Sequence, residues 1–351
     1  MWTDDRIFRE DLDSIISDAA IDFERLRNRT VLVTGATGLI GFWCVSALLY
    51  ADKRFGLGLR VIANARNPEK AQKMYAGLIE DTGLPVFVYG DVAHFTVDEK
   101  VDHIIHAAAQ TNSRAMVEQP VETLLTAING TLNILRLADQ KHSESVVYLS
   151  SMEVYGTHDS DDKMAEDCFG RIDPLQIRSS YPEGKRACEN LVAGFASEYG
   201  VNGKVIRLAQ TFGPGLDKND RRIFAQFARN AIDKEDIVIH TSGQSKRVYL
   251  YTADAVRGIL LILFNGEAGQ AYNLANESTY SSILEVAHLI ADECAQGEIK
   301  VIVENRSSAE FGFAPISRTN LDVSKASGLG FEARYDLLEM LKRTIESMKQ
   351  G

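Results

Sequence analysis

The 351-residue sequence predicts an α/β protein in which a doubly wound parallel sheet carries a smaller C-terminal lobe. Short β-branched runs such as VLVTG, RVIANA and SVVYLSS alternate with longer segments of helical periodicity from residue 30 to residue 212. Such alternation is typical of βαβ units whose strands are buried on both faces. Hydrophobic residues make up 45% and charged residues 25% of the chain, which is the balance of a folded globular protein.

The first 29 residues precede this alternation and predict an added helix. Apolar residues recur there at helical spacing, at Leu12, Ile15, Ile16, Ala19, Phe23 and Leu26. One apolar stripe is what a helix needs to pack on the surface of a domain. We therefore expect residues 1–29 to form an amphipathic N-terminal extension with no chemistry of its own.

A glycine-rich loop joins the first strand of the alternating region to its first helix. The segment TGATGLIG, residues 34–41, follows an apolar strand and opens a helix. Glycines let the backbone approach a pyrophosphate, and the helix N-terminus supplies free N–H groups and partial positive charge. This order predicts a Rossmann-type domain over residues 30–212. The expected contacts to NAD or NADP are Gly35, Thr37, Gly38, Leu39, Ile40 and Gly41.

The end of the second strand bears on the choice of dinucleotide. NAD-binding proteins usually place an acidic residue there to bond the ribose hydroxyls. This strand ends Asn64-Ala65-Arg66, and an arginine can face the 2′-phosphate of NADP. The sequence therefore slightly favours NADP as the dinucleotide, and NAD stays an alternative.

A tyrosine and a lysine follow the fifth strand at helical spacing. Tyr181 and Lys185 share one face of a predicted helix. A phenol with a pKa of about 10 is a poor base at neutral pH, but a neighbouring ammonium and an oxidised nicotinamide favour its anion. Tyr181 can then remove a hydroxyl proton while hydride leaves the same carbon, with Lys185 assisting.

Together these segments resemble the extended short-chain dehydrogenase/reductase superfamily, the NAD-dependent epimerase/dehydratase family, over roughly residues 30 to 345. The resemblance implies that Asp91 and Val92 contact the adenine. It also implies that Ala107, Ala108 and Ala109 lie along the cofactor. In SSMEVYG, residues 150–156, it makes Ser151 the catalytic hydroxyl that hydrogen-bonds the reacting oxygen and leaves Ser150 structural.

The run from Glu166 to Arg186 is most similar to UDP-glucuronate decarboxylases and dTDP-glucose 4,6-dehydratases. Such enzymes oxidise a nucleotide-linked sugar at C4 with tightly bound NAD(P). In a decarboxylase, the ketone lets carbon dioxide leave a hexuronate. In a dehydratase, it lets water leave a 6-hydroxy sugar. In a 4-epimerase, the ketone is reduced from its other face. The resemblance implies a decarboxylase-like lyase first, with the 4,6-dehydratase and the isomerase as alternatives.

Two adjacent residues help to sort these reactions. Glu153 matches a glutamate that decarboxylases and dehydratases share, and buried near the C5 proton it can act as a base. The dehydratases carry an aspartate just before it, which protonates the leaving hydroxyl. Met152 occupies that position and cannot donate a proton, which counts against dehydration.

The resemblance also implies a substrate-binding set. Its members are Gln110, Gln210, Arg222, Arg247 and Arg318. The three arginines are expected to converge on the diphosphate, because forked guanidinium donors suit phosphate oxygens. Ala127 and Gln210 stand where the family has asparagines near the substrate, so the sugar stays open.

Two further readings remain. An NADP-dependent carbonyl reductase would use Arg66 and exchange its cofactor during turnover. A catalytically silent dinucleotide sensor would keep the fold alone, but such proteins commonly lack the tyrosine or the lysine, and both Tyr181 and Lys185 are present.

Charge and composition exclude several other classes. Subtracting 49 acidic from 38 basic residues gives a net charge of −11, which repels nucleic acid and anionic membranes, so local donors must hold any phosphate. The four cysteines lack metal-ligand spacing, and neither a leader pattern nor an apolar run of 18 residues occurs. We expect a cytoplasmic homodimer, joined through helices near residues 115–140 and 181–199. Residues 213–351 are predicted to form mainly the substrate-binding lobe, and this prediction leaves room for one segment to return to the main sheet.

Overall fold

The structure is a computed structural model that describes residues 6–78, 83–217, 219–304 and 316–350. Its strands are β1 Thr30–Thr34, β2 Arg60–Ala65, β3 Val86–Tyr89, β4 His103–His106, β5 Ser145–Ser151, β6 Gly203–Leu208, β7 Gln210–Phe212, β8 Ile237–Ile239, β9 Lys246–Tyr251, β10 Ala271–Leu274, β11 Asn276–Ser282, β12 Val301–Val303 and β13 Arg318–Thr319. Its α-helices are α1 Arg6–Ile16, α2 Leu39–Phe55, α3 Pro68–Tyr75, α4 Ser113–Glu118, α5 Pro120–Lys141, α6 Ser180–Tyr199, α7 Ile223–Asp233, α8 Thr252–Asn265, α9 Ile283–Leu289, α10 Ser324–Ser327 and α11 Leu337–Gln350.

Seven strands form the main sheet in the order β10-β6-β5-β4-β1-β2-β3, and every neighbouring pair is parallel. The central strands β1, β4 and β5 are buried almost throughout, as expected where helices cover both faces. The direction of winding reverses between β1 and β4, which opens a crevice at the carboxyl ends of these strands. The predicted doubly wound Rossmann-type fold is therefore confirmed.

A smaller lobe stands at this end of the sheet. Strands β11, β9 and β13 form a second sheet in which β7 also pairs with β9, and β12 pairs with β8 apart from it. One segment of the C-terminal half returns to the main sheet, because β10 pairs in parallel with β6. Helix α8, which is almost entirely buried, packs against β5 and β6 on the way to β10.

The N-terminal extension is not the single helix that its periodicity predicts. Helix α1 ends at Ile16, and a separate 3-10 turn spans Phe23–Leu26, while Ala19 is exposed. Aspartate side chains explain the break: Asp18 accepts a hydrogen bond from the backbone of Ala20, and Asp22 accepts one from the backbone of Glu24. Such local bonds compete with continued helix. Residues 1–5 of the extension lie outside the described residues.

A buried carboxylate fastens the extension to the body. Asp11 accepts hydrogen bonds from the hydroxyls of Tyr251 at 2.7 Å and Tyr335 at 3.2 Å, and from the guanidinium of Arg343 at 2.7 Å. These partners belong to β9, the approach to α11, and α11 itself. The extension therefore holds the last helix against the core.

No helix in the described ranges is long and apolar enough to span a bilayer. All four cysteines are free thiols, and Cys44 and Cys188 are buried.

Candidate active site

A cavity of 1710 Å³ lies at the carboxyl ends of the main-sheet strands, and residues of the smaller lobe close its other side. The sheet side contributes the glycine loop and the ends of β2, β4 and β5. The lobe side contributes Arg247, Tyr249, Ile283, Ser317 and Thr319. We call this cavity the cleft.

The glycine loop leaves no room for side chains at two of its positions. Gly35 has φ +66°, and a Cβ there would lie 2.8 Å from the Cα of Ala108. A Cβ on Gly41 would lie 2.2 Å from the carbonyl oxygen of Gly35. Backbone therefore meets backbone at the start of α2, whose first N–H groups have no partners within the helix. This cradle fits the pyrophosphate of a dinucleotide.

Most residues expected at the cofactor line the cleft. They are Gly35, Thr37, Gly38, Leu39, Ile40, Gly41, Arg66, Val92, Ala107, Ala108 and Ala109. Asp91 does not line it, because its carboxylate turns back to accept a hydrogen bond from the backbone of Ala93 at 2.9 Å. The adenine contact expected from Asp91 stays a prediction.

The end of β2 carries two cations rather than an acid. Arg66 and Lys70 both line the cleft, while the Asn64 side chain donates to the carbonyl oxygens of Val88 and Gly90 at 3.2 Å each. Lys70 was missed from the sequence. Lys70 follows Arg66 by four residues, and this spacing could have indicated a second cation near the end of β2. The Asn67 side chain caps α3 by accepting a hydrogen bond from the Lys70 backbone N–H.

The predicted reacting residues meet in the cleft. Tyr181 and Lys185 project from α6, and Ser151 ends β5. The Lys185 Nζ donates to the carbonyl oxygen of Leu149 at 2.6 Å and lies 5.8 Å from the centroid of the Tyr181 ring. Ser151 caps the following 3-10 turn through the backbone of Glu153. Ser150 instead donates to the side chain of Glu189 at 2.5 Å.

Burial controls the protonation of both α6 residues. Burial raises the pKa of Tyr181 to about 12, with the Glu153 carboxylate adding to the rise and the Ser151 hydroxyl opposing it. Burial lowers the pKa of Lys185 to about 8. Without a further cation Tyr181 therefore stays a neutral phenol at physiological pH, and Lys185 can lose its proton in mild base.

Glu153 is not the buried acid that the sequence suggested. Its side chain is 37% exposed and paired with Arg178, whose Nη2 lies 2.9 and 3.0 Å from the two carboxylate oxygens. The Arg178 guanidinium carbon also lies 5.6 Å from the centroid of the Tyr181 ring. Its Nη1 is buried and has no hydrogen-bond partner within the described ranges.

Arg178 was missed in reading the sequence. The available signal was its position three residues before Tyr181, which brings both side chains to one side as the chain enters α6. Arg178 lines the cleft together with Met152, which is 9% exposed and presents no polar group beside Glu153.

Two of the three substrate arginines reach the cleft. Arg222 and Arg247 line it, Arg222 held by Asp220 at 2.7 Å and Arg247 donating to the Oε1 of Gln210 at 3.2 Å. Arg318 does not line it. Its neighbours Ser317 and Thr319 do, and because side chains alternate along a strand, Arg318 turns outward and donates to the carbonyl oxygen of Asp159 at 2.8 Å. The structure thus brings Arg222 and Arg247 together in the cleft and does not bring Arg318 to them.

Of the other residues expected near the substrate, two line the cleft and one does not. Gln110 and Gln210 line the cleft. Ala127 does not, because α5 packs its face against α6, where a Cβ on Gly184 would lie 3.5 Å from the Ala127 Cβ. The structure therefore places Ala127 between the two helices rather than on the cleft wall.

Comparison with known proteins places the chain among relatives of one family. The sequence model of the NAD dependent epimerase/dehydratase family matches residues 31–275. UDP-glucuronic acid decarboxylase 1 of Xenopus tropicalis is 29% identical over 336 residues, 93% of this chain and 73% of that protein. UDP-glucuronic acid decarboxylase 6 of Arabidopsis thaliana is 28% identical over 334 residues, 92% of this chain and 89% of that protein.

Solved structures share the fold at lower identity. DesIV, a dTDP-glucose 4,6-dehydratase from Streptomyces venezuelae solved with NAD, has a TM-score of 0.76 at 23% identity over 92% of this chain and 97% of its own. The UDP-glucose 4-epimerase of Thermotoga maritima has a TM-score of 0.74 at 22% identity over 92% of this chain and 99% of its own.

The glycine cradle generates a prediction for cofactor binding. Gly41→Ala places a methyl group against the Gly35 carbonyl, so the loop must move and the dissociation constant for the dinucleotide should rise by about 10 to 100 fold. Titration calorimetry measures the change. Gly194→Ala is the matched control, since that α6 glycine has open space around its Cβ position and the substitution should leave binding unaltered. Equal binding by both variants would contradict a cofactor in this cradle.

Proposed function

The chain belongs to the NAD dependent epimerase/dehydratase family, and from that premise we propose that it transiently oxidises the sugar of a nucleotide-diphosphate sugar at C4. Within this class we infer that its reaction is the decarboxylation of a hexuronate. The relatives named UDP-glucuronic acid decarboxylase support this choice, because their similarity extends over more than nine-tenths of the chain.

The cleft supplies the groups that such an oxidation needs. The glycine cradle would hold NAD(P), which would supply the hydride acceptor for oxidation at C4 and the hydride donor for the final reduction. The Tyr181 Oη takes the proton of the C4 hydroxyl, the Ser151 hydroxyl bonds the same oxygen, and the Lys185 ammonium favours the phenolate. Once C4 is a ketone, the C5–C6 bond breaks, its electron pair passes toward the ketone oxygen, and carbon dioxide leaves. C5 then takes up a proton, and the Tyr181 proton returns to the C4 oxygen.

One observation carries the choice of a hexuronate. The Nη1 of Arg178 is buried beside Tyr181 without a hydrogen-bond partner among the residues described. A buried guanidinium nitrogen without an acceptor is costly, and a carboxylate is its natural partner. The C6 carboxylate of a hexuronate lies two bonds from C4, so a sugar with its C4 hydroxyl on Tyr181 brings that carboxylate near Arg178. Met152 leaves no acid to expel a C6 hydroxyl, which disfavours dehydration.

The proposed reaction predicts one product. Incubation with UDP-glucuronate, without added cofactor, should yield a nucleotide sugar lighter by one carbon dioxide, detected by mass spectrometry. Tyr181→Phe should abolish turnover and leave dinucleotide binding nearly intact, because only the proton acceptor is removed. UDP-glucose, dTDP-glucose, CDP-glucose and UDP-N-acetylglucosamine serve as comparison substrates. Loss of water from a hexose, or altered chromatography at unchanged mass, would overturn the decarboxylase proposal in favour of a dehydratase or an epimerase.

The role of Arg178 is tested by binding in the inactive Tyr181→Phe background. Arg178→Gln should weaken binding of UDP-glucuronate by about tenfold or more and that of UDP-glucose far less, because only the uronate needs the cation. Arg114→Gln is the control: it also removes an arginine paired with a glutamate, Glu118, but outside the cleft. Equal weakening for both sugars would contradict a carboxylate contact by Arg178.

We also infer that the cofactor is NADP. Arg66 and Lys70 at the end of β2 form a pair of cations in an acidic protein, and a 2′-phosphate would suit them. Arg66→Ala should raise the NADP dissociation constant by about 10 to 100 fold and alter NAD binding about twofold at most. Lys73 lies with Lys70 on α3 but does not line the cleft, so Lys73→Ala should change neither the NADP nor the NAD dissociation constant. Tighter NAD than NADP binding by the unaltered protein would reverse this inference.

We propose further that two copies pair through α5 and α6. These helices pack together and leave large apolar side chains exposed: Val121 by 59%, Leu125 by 48% and Tyr199 by 53%. Such side chains on neighbouring helices suit a partner surface.

Analytical ultracentrifugation at micromolar concentration should give the mass of a dimer. Leu125→Glu together with Val121→Glu should give a monomer, because charges would be buried in the contact. Ile302→Glu, also at an exposed apolar position but on β12, should leave the dimer intact. A monomeric mass for the unaltered protein would contradict this pairing.

A further inference from the structure

The Lys185 ammonium lies against an aromatic ring. Lys185 is 3% exposed, and its Nζ is 4.6 Å from the centroid of the Tyr148 ring. Tyr148 is 2% exposed and stands on β5, three residues before Ser151. At this distance the negative face of the ring attracts the ammonium, more strongly because both groups are removed from water.

The Tyr148 hydroxyl takes no visible part in this contact. It is buried, forms no hydrogen bond of normal geometry among the residues that the structure describes, and has the Cys188 thiol as its polar neighbour. A buried hydroxyl without a partner normally costs stability. What Tyr148 offers its surroundings is therefore its ring.

The carboxylates around Lys185 are already committed to other cations. Glu189, one turn further along α6, pairs with Arg207 at 2.8 Å, and Glu153 pairs with Arg178 at 2.9 Å. Both still act on Lys185 at longer range, since each raises its pKa. Neither forms an ion pair with the ammonium. Within the described ranges, the hydrogen-bond acceptor of Lys185 is the neutral carbonyl of Leu149 at 2.6 Å.

Other titratable groups also face Lys185. Burial lowers the pKa of His106, on β4, to about 3, and its ring nitrogens lie 2.7 Å from the Thr34 hydroxyl and 3.2 Å from the Thr131 hydroxyl. The Cys188 thiol, on α6, favours the ammonium only when ionised. Burial raises the pKa of Tyr181 to about 12, so this side chain is a neutral phenol and carries no negative charge at neutral pH.

We propose that Tyr148 is a positioning residue whose ring keeps the buried Lys185 ammonium charged and fixed beneath Tyr181. This inference rests on the proposed function, in which the Lys185 charge makes Tyr181 a competent proton acceptor. Without the ring, Lys185 becomes neutral at lower pH. The alkaline limit of activity then moves to lower pH because Tyr181 loses its neighbouring cation.

The matched pair of variants is Tyr148→Phe and Tyr148→Leu. Phenylalanine keeps the ring and removes only the hydroxyl, whose polar neighbour is the Cys188 thiol. Leucine fills much of the space without a π face. The Lys185 titration is followed by NMR in protein labelled with ¹³C at lysine Cε, with Lys185→Met identifying the resonance. No sugar substrate is needed.

The unaltered protein should titrate at a pKa of about 8. Tyr148→Phe should titrate close to that value, and Tyr148→Leu should titrate lower by about one pH unit, in keeping with a desolvated cation–π contact. The alkaline limb of kcat/KM should shift by the same amount in Tyr148→Leu and be restored in Tyr148→Phe. A merely structural role would lower activity or stability without moving these pKa values selectively.

Two results would overturn the proposal: an unchanged Lys185 titration in Tyr148→Leu, or an equal shift in both variants. If Tyr148→Leu fails to fold, as judged by circular dichroism, Tyr148→Met takes its place with the same expectation. The NMR titration is independent of the sugar, so an error in the proposed decarboxylation would appear in the product assay and leave this result intact.

Discussion

The position of the reacting residues depends on one buried ion pair, between Arg207 on β6 and Glu189 on α6. Three hydrogen bonds join the two side chains, and Ser150 on β5 donates to the same carboxylate. Because Glu189 lies four residues after Lys185, this pair fixes the rotation and height of α6 against the sheet. A buried pair is favourable only when its other polar groups are also satisfied, and Arg207 meets that condition.

Arg207 extends the same network into the smaller lobe. Its Nη1 donates to the Tyr155 hydroxyl at 3.0 Å and to the Glu166 carbonyl oxygen at 2.7 Å. Tyr155 in turn donates to Asn273 on β10, whose amide donates to the carbonyl oxygens of Met164 and Asp322. The segment that follows Ser151 and the lobe residue Asp322 are thus held to the sheet that carries the glycine cradle. Both walls of the cleft share one polar core.

Local backbone requirements explain what could be read from the sequence. The glycine loop belongs to one turn, and Tyr181 and Lys185 belong to one helix. Because each depends only on residues close in sequence, the sequence predicts its geometry. The sequence did not reveal the place of Arg178 in the cleft or the outward turn of Arg318, because each depends on a partner from a separate segment, Glu153 for Arg178 and Asp159 for Arg318. The overlong N-terminal helix has a different cause. Apolar periodicity continued past Ile16, but aspartates supplied competing backbone hydrogen bonds.

Arginine–glutamate pairs also surround the proposed proton acceptor, Tyr181, and its neighbour Lys185. The carboxylates nearest Lys185 are each held by an arginine, and an aromatic face rather than an acid lies against the ammonium. An ion pair with Lys185 would offset the charge that Tyr181 needs nearby, whereas a ring stabilises the cation without cancelling it. The arginines therefore serve the site twice, by pairing with Glu153 and Glu189 and by leaving the Lys185 charge to act on the phenol. The cleft therefore gathers basic side chains at the proposed substrate site, although the net charge of the whole chain is −11.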